Sequence, residues 1–167
     1  MLCVRIQALL LFIFVVAAHA YPVKSAEDCK YLKAVCDARS VVFAISAFDP
    51  MASAVRIGPD LLVTSRHAIA DETNVRVQLT GRVPLKAQVV PSSYAGDIVL
   101  LKAPGLPDGP NLLLAKAAMG EKVFTIGADV TRNKIRVYPP GKVVFLPAKG
   151  LPFARLHHDA YSQPGNS

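Results

Sequence analysis

The chain has 167 residues, 52% of them hydrophobic and 19% charged, with a mean hydropathy of +0.35. That length allows one ordinary domain or two small ones, and the composition excludes a disordered segment or a repeat array. Nineteen Lys and Arg against 12 Asp and Glu give a charge of +7, but they occur mostly singly, no basic run of five exists and Trp is absent, so the phosphate-contact and stacking footprint of a nucleic-acid binder is missing.

Residues 1–20 read as a signal peptide. Arg5 is the lone charge ahead of the apolar run from Ala8 to Ala18, and Ala18-His19-Ala20 puts small residues at the two positions a signal peptidase reads, so cleavage is expected before Tyr21. The run is shorter than the ~20 residues needed to span a bilayer, which implies no stable membrane anchor after cleavage and a secreted or periplasmic product. Cleavage removes Arg5 and Cys3, taking the charge from +7 to +6 and leaving Cys29 and Cys36.

Residues 21–40 are expected to form a helical extension. Within Ser25 to Asp37 (SAEDCKYLKAVCD), the spacing of seven would put Cys29 and Cys36 two turns apart on one face of a straight helix. That is ~10 Å along the axis, whereas a disulfide needs Cα atoms within ~7 Å. Export favours a bridge, and a bridge then requires a short or broken helix; the alternative is two small buried hydrophobes on an amphipathic helix. No other cysteine or nearby histidine completes a four-ligand metal site.

Short runs rich in Val, Ile and Leu follow: Val41 to Phe48, Ala52 to Ile57, Leu61 to Ser65, Val75 to Thr80, Leu85 to Val90 and Asp97 to Lys102. Turn signals separate them at Asp49-Pro50, Gly58-Pro59-Asp60, Thr80-Gly81 and Pro91-Ser92-Ser93, which predicts an all-β barrel or sandwich. Ala103 to Pro110 (APGLPDGP) holds three prolines and two glycines and reads as a separator between two β units. The second unit contains Glu121 to Ile126, Lys134 to Leu146 interrupted by Pro139-Pro140-Gly141, and Ala154 to Asp159.

Three polar residues stand out from this framework. His67 follows the strand Leu61 to Ser65 among small side chains, Asp97 begins an otherwise apolar strand, and Ser167 ends the Pro-Gly turn of QPGNS. Nucleophilic catalysis at serine needs these groups: a weak hydroxyl, an imidazole to take its proton, and a carboxylate to orient the imidazole. Taken singly, each has a structural reading, as a core histidine, a turn cap and a loop serine.

Together they resemble the trypsin-like serine peptidases of the chymotrypsin fold, in the order His, Asp, Ser. Val63 to Ile69 (VTSRHAI) resembles their histidine turn and Gly96 to Lys102 (GDIVLLK) their aspartate strand. Asp159 to Ser167 (DAYSQPGNS) resembles the approach to the nucleophile in the HtrA/Deg branch, and Glu121 to Gly127 (EKVFTIG) the first strand of that branch's second barrel. The likeness spans about Val41 to Ser167, with 30 residues from His67 to Asp97 and 70 more to Ser167.

The resemblance implies a double β-barrel: a complete first barrel over 41–108 carrying His67 and Asp97, a linker over 109–120, and an incomplete second barrel over 121–167 ending at the nucleophile. The implied activity is an exported endopeptidase on polypeptides, needing no cofactor, with Ser167 as nucleophile, His67 as general base and Asp97 as its orienter, and the backbone N–H groups of Gly165 and Ser167 as the oxyanion hole. The family motif continues beyond the serine with two glycines and further strands, so the chain looks like a truncated or partial sequence, and the chain as it stands is expected to hydrolyse peptides poorly or not at all. Ala52-Ser53-Ala54 stands where HtrA enzymes usually have glycines. Tyr161, six before the serine where trypsin carries a carboxylate, implies no preference for Lys or Arg.

Other classes fit less of the chain. His157-His158-Asp159 with His67 would suggest zinc, but adjacent strand residues point to opposite faces and do not readily share an ion. A catalytically inactive trypsin-like binding module shares the sequence but not the reactivity. A basic module held on anionic polymers rests only on the +6.

Overall fold

The structure is a computed structural model and describes residues 29–129, 134–148 and 155–166. The expected signal peptide and Ser167 lie outside the described residues. The elements in chain order are α1 (Lys33–Asp37), a 3-10 turn (Ala38–Val41), β1 (Val42–Ser46), β2 (Ala52–Gly58), β3 (Leu61–Thr64), α2 (Arg66–Ile69), β4 (Asn74–Val77), β5 (Leu85–Val90) and β6 (Val99–Lys102), followed by β7 (Lys122–Val123), β8 (Ile126–Asp129), β9 (Lys134–Val137), β10 (Gly141–Phe145) and β11 (His157–His158).

The first six strands close a barrel in the order β1-β2-β3-β6-β5-β4, with every neighbouring pair antiparallel. Closure removes the edges that an open sheet would present to other chains. The strand period of two decides what fills the barrel: along β4, Val75 and Val77 are buried while Asn74 and Arg76 are exposed. The interior mixes branched residues (Ile45, Leu62, Val75, Val77, Val99, Leu101) with alanines at 52, 54, 87 and 103, and α2 adds Ala68 and Ile69. Small residues at facing positions leave room for the larger ones within so narrow a barrel.

The expected helix from Ser25 to Asp37 is much shorter among the described residues. It starts only at Lys33, since Leu32 before it has an extended backbone (φ −56°, ψ 144°). Cys29 therefore lies ahead of α1, and the two cysteines come within bridging range, with Cα atoms 5.7 Å apart in a Cys29–Cys36 disulfide. The spacing that forbids a bridge on a straight helix is met by a five-residue one.

Three of the expected strands depart from the sequence expectation, the first of them at the site. Asp97 does not begin a strand: β6 starts at Val99, so Asp97 stands on the loop leading into it. The run Glu121 to Ile126 is not one strand but two, β7 pairing with β10 and β8 with β9. The change of partner falls at Phe124, whose ring packs edge-on against Tyr31 (5.1 Å), and at Thr125, whose carbonyl accepts the Tyr138 N–H (2.9 Å). The expected strand Ala154 to Asp159 is reduced, among the described residues, to β11.

The segment between β6 and β7 is held to the barrel. Arg56 on β2 is 2% exposed and donates from Nη2 to the Pro107 carbonyl (2.6 Å), while its own carbonyl accepts the Leu112 N–H (2.9 Å) and its guanidinium lies over the Phe43 ring. Beyond it, β10 lies between β11 and β7, and β8 and β9 form a separate hairpin. Gly141 at the start of β10 meets the backbone of Ala160 so closely that no side chain fits there. β8 and β9 pack against β1, and β8 also against β2, so the second unit leans on the barrel wall next to Ser53.

Leu101, fully buried in the barrel, and Leu114, 90% exposed in the connecting segment, give a controlled comparison. Leu101→Ala is expected to cost ~2–5 kcal/mol in urea unfolding and Leu114→Ala less than ~0.5 kcal/mol. Equal costs would contradict the assignment of the barrel as the stabilising core.

Candidate active site

The ladder between β3 and β6 sets the site. These strands run antiparallel with Thr64 opposite Val99, so the end of β3 meets the start of β6 at one rim of the barrel. Three residues past Thr64 is His67, on the single turn of α2; two before Val99 is Asp97. Residues 30 apart in sequence thus become neighbours without any long side chain having to bridge a gap.

Their contact uses both carboxylate oxygens. Oδ1 of Asp97 accepts the His67 backbone N–H (3.0 Å), and Oδ2 lies 2.7 Å from His67 Nδ1. Burial pushes the Asp97 carboxyl up, but the His67 backbone and ring hydrogen bonds and the charges of His67 and Arg155 together outweigh it, holding the group below its ordinary value. An ionised carboxylate has only acceptors, so Nδ1 must be the donor. In the neutral ring, Nε2 is then the acceptor. The imidazole is half exposed, with 55% of its side-chain surface open, in a cleft of about 550 Å³ lined also by Arg66, Asp71, Gly96 and Arg155.

Arg66 fixes the loop that carries Asp97. Its Nη2 donates to the carbonyls of Tyr94 (2.9 Å) and Ile98 (3.4 Å), and its Nε to that of Gly96 (3.3 Å). One guanidinium thereby holds three carbonyls that bracket Asp97, from the residue next to His67. Charge-assisted bonds of this kind are stronger than neutral ones.

The other approach comes from the second unit. Gln163 to Asn166 form a turn closed by the Asn166 N–H on the Gln163 carbonyl (3.1 Å), with Gly165 at φ 93°, a backbone conformation that favours glycine. The Ser53 hydroxyl donates to the Gly165 carbonyl (2.5 Å) and accepts the Ala128 N–H (2.8 Å). The Ser53 carbonyl in turn accepts the Thr64 hydroxyl (2.7 Å), three residues ahead of His67.

Of the sequence-predicted residues, the structure brings together His67 and Asp97 and seats Gly165 against the barrel; Ser167, expected as nucleophile and as half of the oxyanion hole, lies outside the described residues. Among the described residues no group of three or more His, Cys, Asp or Glu could hold a metal ion. His157 and His158 sit on β11, opposite Phe145 and Val143 of β10, in a sheet separate from the barrel that leads into His67. Arg66 and Ser53 matter to this geometry, yet sequence reasoning assigned neither a role. Arg66 was visible only as one residue of the histidine turn, and Ser53 only as a small residue between two alanines.

A family model described as a trypsin-like peptidase domain matches residues 52–167. Curated proteins give no match. Among solved structures, the chain is similar to the Rv3671c protease in its inactive form, at 24% identity and a TM-score of 0.67 over 81% of this chain and 73% of that one. The active form of that protease, from M. tuberculosis, gives 24% identity and a TM-score of 0.66 over 81% and 66%. The MamO protease domain from Magnetospirillum magneticum gives 20% identity and a TM-score of 0.63 over 78% and 77%. At these identities the structural likeness shows a shared fold.

The depressed Asp97 carboxyl contributes stability that is present above its unfolded pKa and is lost as pH falls through the folded one, below about pH 4. Removing the ring in His67→Ala deletes the ring hydrogen bond and charge but leaves burial, so Asp97 should titrate higher in the variant when its carboxyl carbon is followed by NMR. An unchanged titration would mean that the imidazole is not what holds it down.

Proposed function

The chain belongs to the trypsin-like peptidase family, and from that premise we propose that it is an exported serine endopeptidase that cleaves polypeptides through an acyl-enzyme. The observation that carries this reading is the pairing of His67 Nδ1 with Asp97 Oδ2 at 2.7 Å, with the second carboxylate oxygen held by the His67 backbone N–H. That arrangement leaves Nε2 as the free acceptor on a half-exposed ring, which is what a general base for a hydroxyl requires.

In the proposed mechanism, Ser167 Oγ attacks the scissile carbonyl carbon while His67 Nε2 takes the hydroxyl proton. Asp97 accepts the Nδ1–H, keeps the tautomer and stabilises the imidazolium without itself being protonated. The backbone N–H groups of Gly165 and Ser167 stabilise the oxyanion, a contribution of ~2.7–4 kcal/mol per donor where one has been removed in other enzymes. Collapse breaks the C–N bond, the amine leaves with the proton from His67, and water hydrolyses the ester by the same base. The HtrA/Deg branch is supported by DAYSQPGNS and EKVFTIG. Export is supported by the signal-peptide pattern of residues 1–20 and by the Cys29–Cys36 disulfide, a bond that persists in oxidising compartments. In this reading residues 41–108 are the first barrel, 109–120 the linker and 121–167 the part of the second barrel that carries the nucleophile.

A fluorophosphonate separates this enzyme from an inactive binding module of the same fold. Stoichiometric labelling that maps to Ser167, vanishes in Ser167→Ala and slows ~10³-fold or more in His67→Ala is the expected result. Absence of labelling from folded wild-type protein would favour the binding module, and labelling that survives Ser167→Ala would overturn Ser167 as the nucleophile.

A further inference from the structure

Ser53 is 6% exposed, and every polar atom it carries toward the site is engaged. Its carbonyl accepts Thr64 Oγ1, and its hydroxyl donates to the Gly165 carbonyl while accepting the Ala128 N–H. Three segments of the chain therefore meet at one residue: β3, which runs into the His67 turn; β8, which belongs to the second unit; and the Gln163–Asn166 turn, whose next residue is Ser167. Ser53 itself is locked in the barrel ladder opposite Ala44.

The seat is tight on its other side as well. A Cβ on Gly127 of β8 would lie 2.7 Å from Asn166 Oδ1, 2.9 Å from Ser53 Oγ and 3.0 Å from Asn166 Cα. The absence of a side chain at Gly127 lets the turn come close to β8, and the Ser53 hydroxyl holds the turn's carbonyl from the barrel. Orientation of the Gly165 peptide is thereby tied to the barrel that bears the His67–Asp97 pair.

The structure assigns Ser53 as a positioning residue for the nucleophile turn, acting through the Gly165 carbonyl. This rests on the reading of Gly165 to Ser167 as nucleophile and oxyanion hole. A carbonyl fixed at Gly165 limits rotation of the peptide that leads to Asn166 and Ser167. Donors placed where charge develops lose effect steeply when displaced, and a misplacement of ~1 Å costs ~100-fold in rate. Only the hydroxyl can hold the turn in this way, since alanine keeps a small side chain in the barrel wall but leaves Gly165 without its donor and Ala128 without its acceptor.

The test compares Ser53→Ala, Ser53→Thr and Gly127→Ala with wild type and Ser167→Ala, measuring fluorophosphonate labelling rate, peptide kcat and KM, thermal midpoint, and the downfield NMR signal of the His67 Nδ1 proton. Ser53→Ala is expected to lower kcat and labelling ~10–100-fold with KM within ~3-fold and the His67 signal unchanged, because the defect lies in the turn and not in the histidine pair or in substrate binding. Ser53→Thr, which keeps the hydroxyl, should recover most of the rate. Gly127→Ala, which pushes the same turn from β8, should reproduce the kcat loss, and it decides the matter if Ser53→Ala does not fold. Folded Ser53→Ala with wild-type kcat and labelling would overturn the assignment, as would a loss that Ser53→Thr shares in full while Gly127→Ala is unaffected. Labelling that persists in Ser167→Ala would instead overturn the underlying reading of the nucleophile.

Discussion

The antiparallel pairing of β3 with β6 is the constraint on which the site depends. It places the end of one strand beside the start of the other, and so sets two residues 30 apart in sequence at the same rim of the barrel. Because the barrel is closed, that register cannot slide without moving every strand, and a slip of one residue would turn the whole apolar set outward. The fully buried Leu62 and Leu101, directly opposite each other, hold the register energetically. The precision of the His67–Asp97 contact is thus inherited from hydrophobic packing several residues away.

Rigidity at the rim is supplied by polar bonds laid over that core. The Asp97 loop has no ladder of its own, and the Arg66 guanidinium replaces the missing backbone partners by gathering three of its carbonyls. From β2, Arg56 fastens the connecting segment and Ser53 the second unit. Each of these residues is a long or polar side chain emerging from a barrel strand or its immediate end, and each satisfies backbone groups that no strand reaches. Buried carbonyls and N–H groups require such partners, and here those partners tie loop positions to the scaffold.

Much of this was legible in the sequence, for physical reasons that can be named. Short runs rich in Val, Ile and Leu, bounded by turn signals, marked the strands of the barrel, with β5 matching to the residue, because buried strands need apolar, β-favouring side chains and the chain must turn between them. The chymotrypsin-like architecture followed from short motifs that keep their order. What sequence left open depended on contacts between distant residues. Whether Cys29 and Cys36 could be bridged turned on where α1 begins, and the extended backbone of Leu32 puts that start after Cys29. Asp97 read as a strand residue because Ile98 to Leu101 are uniformly apolar, yet Arg66 draws the chain at Gly96 and Ile98 into a loop. Ser53 read as a small residue in a departure from the expected glycines, since its partners Gly165 and Ala128 are 112 and 75 residues away.

The central claim is that the paired imidazole serves covalent chemistry at Ser167, and a pre-steady-state burst tests it most directly. On mixing the protein with an activated ester, an acyl-enzyme predicts a rapid burst of leaving group equal to the concentration of protein, an acyl adduct on Ser167 in the intact mass, and loss of both in Ser167→Ala. Release that is linear from the first turnover, with no adduct on folded protein, would contradict the account.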